Sequence, residues 1–242
     1  MPDFLNLLPK ETAKLWQKLS TEKLLGKAIL IGGTALTLRI GHRQSEDLDF
    51  SFQSLKLPTK EINALLKKYP KWERNDNQAS YEEFLIGGGS LHDHQQDFIT
   101  EKGVKVTFFA EDVNAWPLIK ENNSDYPTVA TTKEIFALKA LVSAKRSSSR
   151  DWFDLYTLIK DHGFTLADMA AAFKKSRQTS SFDIAMNRLC TGIVGPADPG
   201  YAPLCSDPPS IEEITAFFRD LRSKYEIELS KALSLKGKAG KK

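Results

Sequence analysis

Alternating apolar and polar positions divide the chain into an α+β half followed by a helical half. In the first half, short apolar runs bounded by turn residues predict strands, and apolar residues three or four positions apart predict helices. The predicted strands cover residues 27–33, 47–52, 80–86 and 104–109. The predicted helices cover residues 11–25, 34–40 and 59–69. The glycines at 87–89 and the polar residues at 92–96 predict a loop or the end of a hairpin.

Strand signals end near residue 112, and helical spacing continues to the end of the chain. The helices predicted there cover residues 131–146, 150–163, 165–176, 181–190 and 208–233. The fold class that follows is α+β with an all-helical second half. We expect an α+β domain over 1–112 and a helical domain over 113–242, with 115–128 as the connection and a basic tail after residue 230.

Composition restricts the class of protein without naming a function. The 242 residues are 41% hydrophobic and 27% charged, which is typical of a globular protein with a substantial core. Two cysteines are too few for a disulfide framework, and no segment is apolar enough to cross a bilayer. We therefore expect a cytoplasmic protein. The net charge of +3 permits a polyanionic partner without requiring one.

Two aspartates interrupt the apolar strand at 47–52. Asp47 and Asp49 are two positions apart, so both carboxylates project from one face of the strand, about 6–7 Å apart. Like charges this close oppose folding unless a cation lies between them. Mg²⁺ commonly takes one or two carboxylates together with substrate phosphates. We predict a metal site here, with Mg²⁺ as the ion and Mn²⁺ as an alternative; a structural alternative makes Arg43 their counter-ion.

A glycine pair precedes these aspartates. Gly32 and Gly33 end a predicted strand, and Thr34 is the expected N-cap of the next helix. The free backbone N–H groups at a helix N-terminus favour anions, and glycine lets a phosphate approach them. Each feature alone is common turn or strand chemistry. In this order, they predict phosphoryl or nucleotidyl transfer.

The segment from Gly32 to Asp49 resembles the first motif of the AbiEii/AbiGii abortive-infection toxins, a group of polymerase-beta-like nucleotidyltransferases. The residues on its most specific positions are Gly32, Gly33, Thr34, Arg43, Ser45, Asp47 and Asp49. Three later segments resemble other motifs mainly in order and spacing: "GVKVTFF", "KEIFALKA" with Lys139, and "RDWFDLYTLI" with Arg150, Asp151 and Asp154. The resemblance spans Leu30 to Ile159. It implies a polymerase-beta-like mixed sheet, with the helical domain completing the active-site cleft.

The resemblance also implies roles for individual residues. The catalytic residues would be Asp47, Asp49, Lys139, Asp151 and Asp154. The nucleotide-binding residues would be Gly32, Gly33, Thr34, Arg43, Ser45 and Lys139. One position departs from the wider superfamily, because Thr107 stands where a third carboxylate is expected. Either Asp151 or Asp154 substitutes for it, or one metal suffices, or catalysis is weak.

The helical candidates have structural alternatives. Lys139 lies at the edge of an apolar stripe, where it either extends towards solvent or contacts nucleotide phosphates. Asp151 is in a first helical turn, where the helix dipole alone favours an acid. Asp154 has leucine neighbours on the helical wheel. Its functional roles would be to orient Lys139, to bind metal or to act as a base. Its structural alternative is a salt bridge with Arg146 or Arg150. The sequence does not separate the roles of the two aspartates.

The predicted function is a Mg²⁺-dependent nucleotidyltransferase that transfers NMP from an NTP to an acceptor hydroxyl. The resemblance implies the toxin of a type IV-like toxin–antitoxin or abortive-infection system, with RNA, for example tRNA 3′ ends, as acceptor and a cognate antitoxin as partner. One rival is an RNA- or protein-binding module that has kept the fold and lost turnover. Another is a nucleotidyltransferase that modifies a small molecule such as an antibiotic.

Overall fold

The computed structural model describes residues 4–75 and 90–239, and its chain divides into two compact units, Met1–Ile135 and Phe136–Lys242. The strand predicted at 80–86 and the loop predicted at 87–89 lie outside the described residues, as does the end of the basic tail. The first unit is built on a mixed sheet and the second on helices.

The sheet of the first unit has six strands in the order β3-β4-β5-β2-β1-β6. The strands are β1 (Ala28–Ile31), β2 (Leu48–Phe52), β3 (Glu73–Arg74), β4 (Gln95–Ile99), β5 (Lys105–Ala110) and β6 (Thr128–Val129). The central strand β2 runs antiparallel to β1 and parallel to β5. The helices of this unit are α1 (Lys10–Leu19), α2 (Gly32–Ile40) and α3 (Thr59–Lys68).

One face of the sheet carries an aromatic core. The ring of Phe108 on β5 lies 5.7 Å from that of Phe50 on β2 and 6.0 Å from that of Phe98 on β4. Trp16 of α1 packs on Phe50, and Trp72 packs on Phe98, both with ring centroids 6.3 Å apart. Because side chains alternate along a strand, Asp49 projects from the opposite face.

Three expectations for this unit need correction. Gln95 and Gln96 belong to strand β4, although they were expected in a loop or hairpin end. Their polar side chains do not signal a strand, and it is the pairing with β5 that makes them one. The strands do not end near residue 112, since β6 pairs with β1. Buried Asn122 also donates to the carbonyl oxygens of Gly26 (2.7 Å) and Ala28 (2.8 Å), so this connection packs against the sheet. The unit therefore extends beyond the division predicted after residue 112.

The second unit is helical in its described residues, as the apolar spacing predicts. It contains most of α4 (Thr132–Lys145), then α5 (Ser149–His162), α6 (Leu166–Lys175), α7 (Ser181–Thr191) and α8 (Ile211–Ala239). Trp152 of α5 is fully buried, and Phe153 stacks on Tyr201 with centroids 4.9 Å apart. The predicted fold class, α+β with an all-helical second half, is confirmed. In the described part of the chain, no helix is long and apolar enough to cross a membrane.

Candidate active site

The two aspartates of the sequence motif lie at one end of the sheet, next to the glycine pair. Asp49 pairs with Ile31, the last residue of β1, so Gly32 begins α2 beside the start of β2. Asp47 immediately precedes β2, and both side chains are partly exposed. The predicted association of the acidic pair with the diglycine turn is therefore present within the first unit.

Gly32 allows the carboxylate of Asp49 to lie against the backbone. Gly32 has φ +73°, a left-handed conformation that residues with a Cβ rarely adopt. A Cβ built on Gly32 would lie 2.5 Å from Oδ2 of Asp49. A Cβ on Gly33 would lie 2.7 Å from Nη2 of Arg43 and 2.8 Å from Oγ of Ser45. The side chains of three predicted site residues, Asp49, Arg43 and Ser45, thus converge on a glycine pair whose backbone tolerates no side chain.

Buried threonine hydroxyls fix the loop that carries Asp47. Thr34 does not cap α2 as predicted, because its hydroxyl bonds to the backbone carbonyl of Asp47 and to Oγ of Ser45, the latter at 3.0 Å. The hydroxyl of Thr37 lies within hydrogen-bond distance of the carbonyl oxygens of Gly33 (3.0 Å) and Arg43 (2.9 Å), which share its one proton. The hydroxyl of Thr34 therefore holds the protein's own backbone, and its backbone N–H at the start of α2 is the group suited to a phosphate.

Helix α1 contributes a third threonine to this loop. Thr12, which is 2% exposed, donates a 2.8 Å hydrogen bond to the carbonyl oxygen of Glu46. No sequence signal pointed to either Thr12 or Thr37: Thr12 acts on a carbonyl 34 positions away, and Thr37 acts on the carbonyls of residues 33 and 43, on either side of it. Together with Thr34, they hold the residues before β2, so the position of the acidic pair depends on side chains from two helices.

Arg43 is a buried residue of the same loop. It is 6% exposed, and its Nη1 donates to the carbonyl oxygen of Gln44 at 2.8 Å. Its Nη2 lies 2.7 Å from the point where a Cβ on Gly33 would be, beside the first turn of α2. A guanidinium here adds positive charge to a helix N-terminus that already favours anions. The geometry is compatible with either predicted role of Arg43, phosphate binding or charge balance.

Thr107 lies directly beside Asp49, where the resemblance led us to look for a third carboxylate. The two residues are register partners in the parallel pair of β2 and β5. On the other side of Thr107, its antiparallel partner is Asp97 of β4, which is 4% exposed. Directly paired residues share a face, so Asp49, Thr107 and Asp97 form a row across three strands. Oδ2 of Asp97 accepts from Nε2 of Gln95 at 3.0 Å, and Oδ1 lies 3.8 Å from Nζ of Lys105.

The second unit contains a buried charged cluster around Lys139 of α4. Nζ of Lys139 lies 2.7 Å from Oδ1 of Asp151 and 2.7 Å from Oδ2 of Asp154, both on α5. All three side chains are at least nine-tenths buried. Both aspartates thus orient the lysine, one of the predicted roles for Asp154. The extension of Lys139 towards solvent is ruled out.

Asp151 also binds an exposed cation. Its Oδ2 lies 2.8 Å from Nε of Arg146, whose side chain is 66% exposed. Burial acts to raise the pKa of Asp151, but the charges of Lys139 and Arg146 outweigh it and hold the pKa below the ordinary value of 3.8. Asp151 is therefore ionised at neutral pH. The predicted salt bridge from Arg146 is made to this residue, whereas Arg150 donates to the carbonyl oxygen of Gly200 at 2.9 Å.

A family model decides between the function classes left open by the residues. The model of the AbiEii nucleotidyl transferase toxin, of type IV toxin–antitoxin systems, matches residues 14–234. The chain belongs to the AbiEii nucleotidyltransferase toxin family. This AbiEii protein is a nucleotidyltransferase, and the predicted family and enzyme class are confirmed.

Individual relatives of this AbiEii protein are distant. An uncharacterized protein of Aquifex aeolicus, aq_aa25, is 28% identical over 191 residues, which cover 75% of this chain and 82% of that protein. The crystal structure of JHP933 from Helicobacter pylori matches 95% of this chain and 99% of its own, with 17% identity and a TM-score of 0.48. The nucleotidyltransferase toxin MenT4 of Mycobacterium tuberculosis matches 88% of this chain and 86% of its own, with 14% identity and a TM-score of 0.42.

The family generally uses a divalent metal, and the donors of the AbiEii site fit one. The carboxylate of Asp49 lies against Gly32, and the backbone carbonyl of Asp47 is held by the hydroxyl of Thr34 in the first turn of α2. Within residues 4–75 and 90–239, no group of three or more His, Cys, Asp or Glu side chains is arranged to hold a metal. A hard cation held by two carboxylates completes its coordination with phosphate and water oxygens. A pair of carboxylates therefore suits a metal site that is shared with a nucleotide.

Proposed function

We propose that this AbiEii protein transfers an NMP from an NTP to a hydroxyl of RNA, with Asp47 and Asp49 holding Mg²⁺. The observation that carries the proposal is the position of the Asp49 carboxylate against Gly32, at the N-terminus of α2. Mn²⁺ is the alternative ion. The tRNA 3′ end is the acceptor we favour, and a cognate antitoxin is the expected partner, both on the strength of the family alone.

In the first unit, separate residues would bind the phosphates, hold the metal ion and fix the loop. The N–H groups of Gly32, Gly33 and Thr34 would donate to phosphate oxygens, with the helix dipole and Arg43 adding positive potential. Ser45 would hold the loop through its bond to Thr34. A divalent ion on Asp47 and Asp49 would supply charge neutralisation for the triphosphate. The threonine hydroxyls would keep the acidic pair from moving as the nucleotide binds.

The reaction is an in-line displacement at the α-phosphorus. The acceptor hydroxyl forms a new P–O bond and loses its proton, and the bond from the α-phosphorus to the bridging oxygen breaks, so that pyrophosphate leaves. A role for Lys139, Asp151 and Asp154 in this step stays a prediction, because their 2.7 Å contacts are also those of a buried structural ion pair.

A labelling experiment tests the proposal. The protein is incubated with Mg²⁺, total RNA and each NTP, labelled in turn at the α- and the γ-phosphate. We expect α-label in RNA for at least one NTP and γ-label in pyrophosphate. Asp49→Asn should abolish transfer. Glu46→Gln, which removes an exposed acid next to Asp47, should not.

Four results would contradict the proposal in different ways. γ-Label in RNA would indicate phosphate transfer, and α-label in the low-mass fraction with unlabelled RNA would indicate a small-molecule acceptor. RNA binding without any label transfer would indicate a binding module that has lost turnover. Equal activity of Asp49→Asn and the parent would remove the proposed site altogether.

A further inference from the structure

A basic groove lies on the first unit, apart from the candidate active site. It has a volume of about 470 Å³ and is formed by α1, the residues after α3 and the turn between β4 and β5. Its described lining includes five lysines and two glutamates, and one of these lysines, Lys68, is paired with the buried Glu22 at 2.6 Å, which leaves an excess of two positive charges. The volume is within the range of about 300–1,000 Å³ that is typical of ligand pockets.

Two aromatic rings line the groove between the lysines. Tyr69 and Trp72 stack on one another with centroids 5.1 Å apart and an interplanar angle of 24°. Both are half-buried, whereas Lys18, Lys71 and Lys102 are exposed. Planar rings bordered by flexible cations are the combination that binds single-stranded nucleic acids, since bases stack on the rings and phosphates contact the lysines.

The lysines of the groove interact with its two glutamates. Lys14 pairs with Glu11 at 3.1 Å, and Lys71 pairs with Glu101 at 2.8 Å. The pKa of Glu11 is lowered, first by its hydrogen bond from Lys14 and further by the nearby charge of Lys102. The pKa of Glu101 is lowered in the same way by Lys71, with Lys102 adding to the effect. Both glutamates therefore lie in a positive potential, and exposed pairs of this kind are weak enough for a phosphate to compete with them.

The groove and the acidic pair lie at the same end of the sheet. The turn from Thr100 to Val104 leads into β5, whose Val106 pairs with Leu48 of β2, so the turn is level with the residues just before β2. Helix α1 contributes Glu11, Lys14 and Lys18 to the groove, and its Thr12 bonds to the carbonyl oxygen of Glu46. Since α1 packs on the aromatic face, the groove is on the side of the sheet opposite Asp49.

We propose that this groove binds a single-stranded polynucleotide around Tyr69 and Trp72, with Lys18, Lys71 and Lys102 contacting its phosphates. A strand leaving the groove at the β4–β5 turn reaches the end of the sheet where Asp47 lies. This binding does not require turnover, so it goes beyond the proposed function. An acidic peptide would engage the lysines but would bring no planar group to the two rings.

Binding of a labelled single-stranded oligoribonucleotide of about 12 nucleotides, followed by fluorescence anisotropy without NTP, tests the proposal. Lys18→Gln with Lys102→Gln should reduce the slope of log K against log salt by about 1.4, and the affinity about 25-fold at about 0.1 M salt, if each lysine contacts one phosphate. Tyr69→Leu keeps an apolar side chain but removes the ring, and should lower affinity about tenfold.

The matched control is Lys174→Gln with Lys175→Gln, two exposed lysines at the end of α6 in the second unit. It should retain parental affinity. Equal losses in the control and the groove variant, or parental affinity in both groove variants, would overturn the proposal. Binding of poly-glutamate in preference to RNA, with no effect of Tyr69→Leu, would assign the groove to an acidic protein partner instead.

The failure of this proposal is distinguishable from that of the proposed function. Asp47→Asn with Asp49→Asn should bind the oligoribonucleotide as tightly as the parent while losing transfer. Tight binding that depends on the groove, with no transfer by the parent, would leave the groove assigned and remove the enzymatic proposal. Transfer by the parent, with RNA binding that does not depend on the groove, would support the enzymatic proposal and remove the groove as the RNA-binding site.

Discussion

The replacement of Gly32 by alanine is the sharpest test of how the backbone positions the acidic pair. Alanine at φ +73° costs about 1–2 kcal/mol of folding free energy, because its Cβ crowds the following carbonyl in the left-handed region. The new Cβ would also lie 2.5 Å from Oδ2 of Asp49, where ordinary contacts begin at 3.4 Å. The carboxylate must therefore retreat by about 0.9 Å.

A displacement of about 1 Å in a reacting group costs about 10²-fold in rate. We expect Gly32→Ala to lose nucleotidyl transfer by that factor, measured as initial rates of α-label incorporation. The matched control is Gly163→Ala at the end of α5, which has φ +75° and nothing within 4 Å of the added Cβ. It should cost a similar folding free energy, followed by urea unfolding, and keep its activity.

The comparison separates backbone strain from carboxylate displacement. If Gly32→Ala and Gly163→Ala lose stability alike and only the former loses activity, the carboxylate position is responsible. Parental activity in Gly32→Ala would contradict a role for the position of the carboxylate, because Asp49 could then move by about 0.9 Å without consequence. An equal loss of activity in both variants would attribute the effect to stability alone.

Four further predictions follow from the same contacts. Thr37→Val should destabilise the fold by about 1–3 kcal/mol in urea unfolding, because the carbonyl oxygens of Gly33 and Arg43 lose a buried donor; Thr37→Ser should retain most of this stability. Lys139→Met should lower the free energy of unfolding by about 3–5 kcal/mol, since it leaves two buried carboxylates without their shared cation. A loss no larger than that of an exposed-lysine control would contradict a buried ion pair here. Because the pKa of Asp151 is lowered in the folded protein, this residue stabilises the fold above its ordinary pKa of 3.8, and the contribution is lost as the pH falls below that value. Asp151→Asn should therefore weaken the fall of the unfolding free energy at acid pH. Thr107→Asp puts a carboxylate beside Asp49, so its melting temperature should rise more on adding Mg²⁺ than that of the parent, and an equal rise would argue against a metal on this row.

Local patterns predicted the parts of the site that are close in sequence. The strand, diglycine turn and helix from residue 27 to 40 follow one another directly, and strand alternation alone places Asp47 and Asp49 on one face. Both features depend on neighbours within a few positions, which is where propensity and periodicity carry information.

Long-range pairing determined what the sequence did not reveal. Strand β4, with its polar residues, is a strand because β5 pairs with it, so nothing local identified Asp97 as a buried neighbour of Thr107. Thr34 resembled a helix cap, but its hydroxyl bonds to a carbonyl 13 positions later. The sequence left the partners of Lys139 unassigned because two aspartates on the next helix qualified, and both bind it.

We expect Asp47 and Asp49 to hold a divalent ion together with a nucleotide. Titration with Mn²⁺ measures this binding with and without a non-hydrolysable NTP analogue, as the loss of the free-ion paramagnetic resonance signal beyond the loss that the analogue causes without protein. We predict that the analogue tightens Mn²⁺ binding in the parent and in Glu46→Gln, and that Asp47→Asn with Asp49→Asn abolishes binding in both conditions. Parental Mn²⁺ affinity in the double variant, with or without the analogue, would contradict the account.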